Sequence, residues 1–146
     1  MSKHFLLMVA LLLVANSSGC VEQVDNPPGE KVEVTGSTVL TTWYNTSNSS
    51  FNYEPGFFHD YPKDAMYLSY KIQATIKNIG DGDLGSVQIT LNFCDLNDHV
   101  LIGKTKTIED FKKEHTEEFL VVLHDFETKL FKKIDSVEFE IQTKIS

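Results

Sequence analysis

Between Met66 and Asn78, apolar and polar residues alternate with a period of two. Leu68, Tyr70, Ile72, Ala74 and Ile76 fall on one side of an extended chain, and Ser69, Lys71, Gln73, Thr75 and Lys77 on the other. That period is the pleat of a β-strand, whereas a helix would scatter the same residues around its circumference. A strand apolar on one side needs a second layer to cover it. After the turn sequence Gly80-Asp81-Gly82-Asp83 the pattern returns, with Val87, Ile89, Leu91 and Phe93 alternating with Gln88, Thr90 and Asn92. The two runs are therefore expected to be antiparallel neighbours.

Four more strands are expected. Lys31 to Tyr44 is rich in Val and Thr, with a bend or bulge at Gly36. Val100 to Ile108 is shorter, Thr116 to Leu123 places Phe119, Val121 and Leu123 inward, and Val137 to Ile145 closes the chain. Phe126, Leu130, Phe131 and Ile134 have helical spacing, which predicts one short helix over 126–134. Asn45 to Asp64 reads as a long loop holding Phe51, Tyr53, Phe57, Phe58 and Tyr61. The fold class is all-β, an antiparallel immunoglobulin-like sandwich of about six or seven strands.

The amino end constrains location. Lys3 precedes an unbroken apolar run from Phe5 to Ala15, followed by Asn16-Ser17-Ser18-Gly19-Cys20. The run is about half of the roughly twenty residues that a membrane-spanning helix needs. It reads as a signal peptide over 1–19, ending in a lipobox-like segment with Ser17 where that pattern prefers Leu. Cys20 is the expected lipidation site, anchoring the chain in the cell envelope, on the outer face of the cytoplasmic membrane or in the periplasm. Residues 20–30, with Asn26-Pro27-Pro28-Gly29, read as a flexible tether in which no strand persists, and 31–146 as the sandwich domain. The rival fate of Cys20 is a disulfide with Cys94 in a secreted chain. If Cys20 is acylated, Cys94 is a lone thiol in or near a strand.

Charge narrows the partners. The chain has 13 Lys+Arg against 21 Asp+Glu, and removing Lys3 with the signal leaves 12 against 21, a balance of −9. This excludes a sequence-independent nucleic-acid binder, which needs a basic footprint. All the basic residues are Lys, so forked guanidinium recognition of phosphate is absent.

No motif places a nucleophile, base and orienting acid together, so the chain is read as non-enzymatic and without a cofactor. Catalysis would need His59 and Asp60 to meet His115 or His124 in a cleft. Cys94 and His99 lie without the following Met of a copper site. Asp81, Asp83, Asp95 and Asp98 lie in turns and are weak calcium candidates, lacking the spacing of a calcium loop. Asn45-Thr46-Ser47 and Asn48-Ser49-Ser50 make Asn45 and Asn48 glycosylation candidates.

The run Tyr70-Lys71-Ile72-Gln73-Ala74-Thr75-Ile76-Lys77-Asn78-Ile79-Gly80-Asp81, with Val87, Ile89, Leu91, Phe93 and Asp95 beyond it, resembles exported FxLYD and CARDB-like domains. It departs from them at Ala74 for Gly, at Cys94 for Tyr and at Lys113-Glu114 for a Pro-Gly-Glu turn. The resemblance implies an accessory domain of the cell surface or periplasm without catalytic residues. The expected function is a lipid-anchored binding or structural domain, recognising an envelope protein or polysaccharide through Phe51, Tyr53, Phe57, Phe58 and Tyr61. The alternative is a small-ligand or calcium-binding protein using the acidic turns.

Overall fold

The computed structural model describes residues 23–25 and 32–144. Among the described residues eight strands form: β1 (Gln23–Asp25), β2 (Val32–Asn45), β3 (Ser50–Pro55), β4 (Ala65–Asn78), β5 (Leu84–Cys94), β6 (Val100–Phe111), β7 (Thr116–His124) and β8 (Ser136–Lys144). They make two four-stranded sheets, ordered β3-β2-β4-β7 and β1-β8-β5-β6. Neighbours are antiparallel except β1, which runs parallel to β8. The fold is all-β and immunoglobulin-like: β2-β4-β7 occupies the place of strands A-B-E, and β8-β5-β6 that of F-C-C′.

The period-two reading holds in the core. Leu68, Tyr70, Ile72, Ala74 and Ile76 of β4 are buried, and so are Val87, Ile89, Leu91 and Phe93 of β5. Phe119 and Leu123 of β7, with Val137, Phe139 and Ile141 of β8, complete the layer, while Val121 is half-buried. Each such aliphatic or aromatic side chain contributes about 1.5–3 kcal/mol by leaving water, which is why alternation alone selects the inward set. The bend expected at Gly36 is a bulge between Thr35 and Thr38, with Gly36 at φ +59°.

Four expectations about the backbone are corrected. The runs 66–78 and 87–93 do not pair, since β4 and β5 lie in different sheets. The segment 79–83 instead crosses the gap of about 10 Å between the layers. Asn78 fixes that crossing. Its buried amide nitrogen donates to the carbonyls of Gly82 and Phe111, both at 3.0 Å, and its Oδ1 accepts the Gly80 N–H at 3.0 Å. The long loop over 45–64 contains β3, which returns along β2 as a hairpin pairing Tyr44 with Phe51 and Thr42 with Tyr53. The helix expected over 126–134 is replaced by two short 3-10 turns, Asp125–Glu127 and Phe131–Lys133. Extended backbone at Thr128 (φ −158°, ψ 141°) separates them. Within the expected tether, Gln23–Asp25 forms a strand on the edge of β8.

Cys94 is buried at the end of β5 and is disulfide-bonded, so the lone thiol expected there is corrected. Cys20, the signal segment 1–19 and most of 20–30 lie outside the described residues.

A candidate binding face on the outer sheet

The five aromatics of the 51–61 region divide between two places. Phe57, Phe58 and Tyr61 are partly buried and pack on the core. Thr41, fully buried on β2, holds the start of this segment: its hydroxyl donates to the Gly56 carbonyl (2.6 Å) and accepts the Phe58 N–H (2.9 Å). Phe58 then stacks on Trp43 at 5.4 Å, and Phe57 meets the edge of Tyr70 at 4.9 Å. Tyr70 lies flat on Phe131, with centroids 4.0 Å apart. His59 Nε2 is 2.7 Å from the Ile134 carbonyl, which ties the segment to the far side of the sandwich. Burial, with Asp125 nearby, raises the Tyr61 pKa. These three residues close one end of the core.

Phe51 and Tyr53 are different. On β2, Thr41 and Trp43 point inward, so Thr42 and Tyr44 point out. Their partners across the ladder, Tyr53 and Phe51, share that outer face and are 68% and 66% exposed. Tyr44 packs edge-on against Phe51 at 5.1 Å and faces Tyr67 at 6.1 Å on its other side. Tyr44, Phe51, Tyr53 and Tyr67 thus gather on one corner of the outer face, across three strands.

Tyr67 reaches this corner through a bulge. β2 and β4 slip register between Thr42 and Tyr44, where Thr42 faces Ser69 and Tyr44 faces Met66. Two β4 residues therefore stand against one on β2, and Tyr67 sits at φ +53°. A side chain with a Cβ in that left-handed region costs roughly 1–2 kcal/mol that glycine would not. The ring at this bulge faces outward, 64% exposed.

Hydrogen bonds hold the hairpin tip beside the rings. Asp64 accepts from both the N–H and the hydroxyl of Ser47, and the Thr46 hydroxyl donates to the Asp64 carbonyl at 3.1 Å. The Ser47 hydroxyl lowers the Asp64 pKa. Of the two glycosylation candidates, Asn48 lies exposed in this turn, whereas Asn45 ends β2 and its Oδ1 accepts the Ser47 N–H at 2.9 Å.

The remaining candidates do not converge. Asp81 and Asp83 precede β5, and Asp95 and Asp98 follow its end, roughly 40 Å away at strand rise. Asp83 accepts the Lys113 N–H at 2.8 Å and pairs with Lys112 at 3.2 Å, contacts that lower its pKa, the Lys113 amide first. Asp95 accepts the amides of His99 and Asn97, and the His99 amide is the larger cause of its lowered pKa. No group of three or more His, Cys, Asp or Glu able to hold a metal ion occurs among the described residues. His59 lies at the core end, His115 beside Glu117 at 3.3 Å, and His124 stacks on Phe126. Sequence reading passed over Tyr44 and Tyr67, although Tyr67 falls on the outer side in the alternation of β4.

No family model, no curated protein and no solved structure matches the chain. The two-sheet sandwich and its outer face therefore carry the functional reading.

Proposed function

We propose that this chain is an exported, non-catalytic binding domain of the cell envelope, using the outer aromatic corner of sheet β3-β2-β4-β7. The observation that carries the reading is the gathering of Tyr44, Phe51, Tyr53 and Tyr67 on a solvent-facing sheet, held there by a strained bulge. Exposed aromatics offer large contact area at small cost in side-chain freedom, and strain retained away from the core suits a functional position. The signal-like segment ending at Cys20 supports export, as does the disulfide-bonded state of Cys94, which belongs to oxidising compartments. The resemblance to FxLYD and CARDB-like domains points the same way.

Attachment to the membrane is proposed through a diacylglyceryl group on Cys20. A second reading, a secreted domain without the anchor, is favoured by Cys94, because Cys20 is the chain's other cysteine and one sulfur cannot serve both a thioether and a disulfide. Intact mass and detergent partitioning of the native exported protein and of Cys20→Ser separate them. A diacyl mass and partitioning lost in the variant establish the anchor. A water-soluble native species that gains two hydrogens on reduction establishes the disulfide-closed form. Retention of an uncleaved amino end in the cytoplasm refutes export.

A further inference from the structure

We propose that the free edge of β7 docks a second copy of this chain, which extends sheet β3-β2-β4-β7 by antiparallel pairing of β7 with the partner's β7. Among the described residues each sheet has two edge strands, β3 and β7 in one, β1 and β6 in the other. Three of these are guarded against such pairing. β3 is short, ends in Pro55 and turns Glu54 to its inner side opposite Thr41. β6 places Lys104 and Lys106 on its inner side, opposite the buried Leu91 and Ile89. β1 has only three residues. β7 carries none of these guards, since Phe119-Leu120-Val121-Val122-Leu123 is a continuous apolar run without proline, glycine or a register slip against β4.

Backbone geometry shows which groups stand open. Asn78 donates its N–H to the His115 carbonyl and accepts the Glu114 N–H, both at 3.0 Å, so its backbone points to the β7 side. Strand residues alternate in this respect, so Ile76, Ala74, Ile72 and Tyr70 also bond toward β7, to Glu117, Phe119, Val121 and Leu123. Glu118, Leu120, Val122 and His124 therefore aim their N–H and C=O groups at the free edge. Two side-chain contacts agree: the Lys106 ammonium donates to the Glu118 carbonyl at 3.0 Å, and Glu127 accepts the His124 N–H at 2.7 Å. Between those two caps the backbone groups of Leu120 and Val122 have no hydrogen-bond partner among the described residues, and their side chains are 54% and 40% exposed. An open edge of this kind takes another strand.

The order of residues along β7 fits a second β7. A two-fold pairing centred on Val121 sets Leu120 opposite the partner's Val122 and Phe119 opposite the partner's Leu123, apolar against apolar throughout. On the outer side Glu118 then meets the partner's His124, an acid against a base. Centring on Leu120 instead would set Glu118 opposite the partner's Val122 and Glu117 opposite the partner's Leu123, so the register is specified. Each pairing of Leu120 with the partner's Val122 exchanges both backbone bonds, and Lys106 and Glu127 keep their caps beyond them. The contact is small and belongs with transient interfaces under about 1,200 Å². Because the dyad stands normal to the joined sheet, both copies turn their Tyr44 and Phe51 corners to one side, although the pairing itself does not depend on the role given to that corner.

Sedimentation velocity of the native exported protein over a roughly hundredfold range of concentration, with amide exchange at each end of the range, tests the pairing. The expected result is a reversible dimer in which the Leu120 and Val122 amides gain protection as concentration rises, while those of Phe119 and Val121 are protected throughout by β4. Leu120→Pro removes one outward N–H and leaves the β4 ladder whole, and Val122→Lys puts a charge into the apolar seam. Each is expected to weaken dimerisation at least about tenfold. Should Leu120→Pro fail to fold, Val122→Lys at an exposed position decides. Glu118→Lys also weakens the dimer, and Glu118→Lys with His124→Glu restores it, because the two positions lie about 20 Å apart within one strand and meet only between copies. A monomer at every concentration overturns the proposal. So does a dimer that Val122→Lys leaves intact, or one that Phe51→Ala dissolves, since the second copy would then sit on the aromatic corner.

Discussion

Replacing Asn78 with Ala tests whether one buried amide holds the two sheets in register. Its side chain makes three hydrogen bonds, and all three partners are backbone groups: the Gly80 N–H and the carbonyls of Gly82 and Phe111. Gly82 is exposed, so its carbonyl finds water. Gly80 and Phe111 are buried, and their groups are left without a partner. At about 1–2 kcal/mol for each buried group orphaned, and a few tenths for the exposed one, Asn78→Ala costs roughly 2–4 kcal/mol. For a domain of this size that lowers the melting temperature by roughly 10–15 °C. Equilibrium urea unfolding reads the change through the single tryptophan, Trp43, which is 7% exposed. Asn78→Asp keeps an acceptor for Gly80 and loses both donor bonds. Its buried carboxyl titrates high, so this variant is less destabilised at pH 4 than at pH 7. A loss under about 1 kcal/mol in Asn78→Ala refutes the staple, because the orphaned groups would then have cost nothing.

Other substitutions probe other links. Tyr70 is fully buried, its hydroxyl has no hydrogen-bond partner among the described residues, and burial raises its pKa strongly. Tyr70→Phe keeps the stack on Phe131 and is expected to gain about 1 kcal/mol in urea unfolding, and a loss of that size would mean the hydroxyl is bonded. Thr41→Val removes both bonds to the 56–58 backbone and costs about 1–2 kcal/mol, with faster amide exchange at Phe58; unchanged exchange contradicts the clamp. Burial, then Glu140 and Asp98, raises the Glu138 pKa above the ordinary 4.5. Between that value and the raised one the folded state holds more protons, so stability falls as pH rises, and Glu138→Gln is more stable than the native chain at pH 7 but not at pH 3. Asp64, Asp83 and Asp95 have the opposite sign, with pKa values below 3.8, so their contribution is present above that pH and lost as pH falls through the lowered values. Acid unfolding that begins well above pH 4 would point to other groups.

Much of the fold was legible because a strand's period is local. Leu68 to Ile76 and Val87 to Phe93 each carry enough consecutive alternation to mark their inward side. The hairpin of β3 was hidden because Phe51 and Tyr53 are large apolar residues on the solvent side, while Asn52 and Glu54 take the inner side, an inversion of the usual pattern. The candidate site was half legible. The five aromatics look alike in sequence and read together as one surface; Phe51 and Tyr53 lie exposed, while Phe57, Phe58 and Tyr61 are drawn inward by Thr41, Trp43 and Tyr70.

The sequence by itself determined the all-β class, the inward residues of β4, β5, β7 and β8, and the bend at Gly36, since each depends on residues within a few positions of one another. Tertiary structure alone decided that β4 and β5 part to different sheets, that Asn78 reaches Phe111 thirty-three residues away, and that Tyr67 lies beside Tyr44. Those outcomes depend on which strand lies beside which. Pairing is chosen by the burial of both faces together, and no window along the chain contains it.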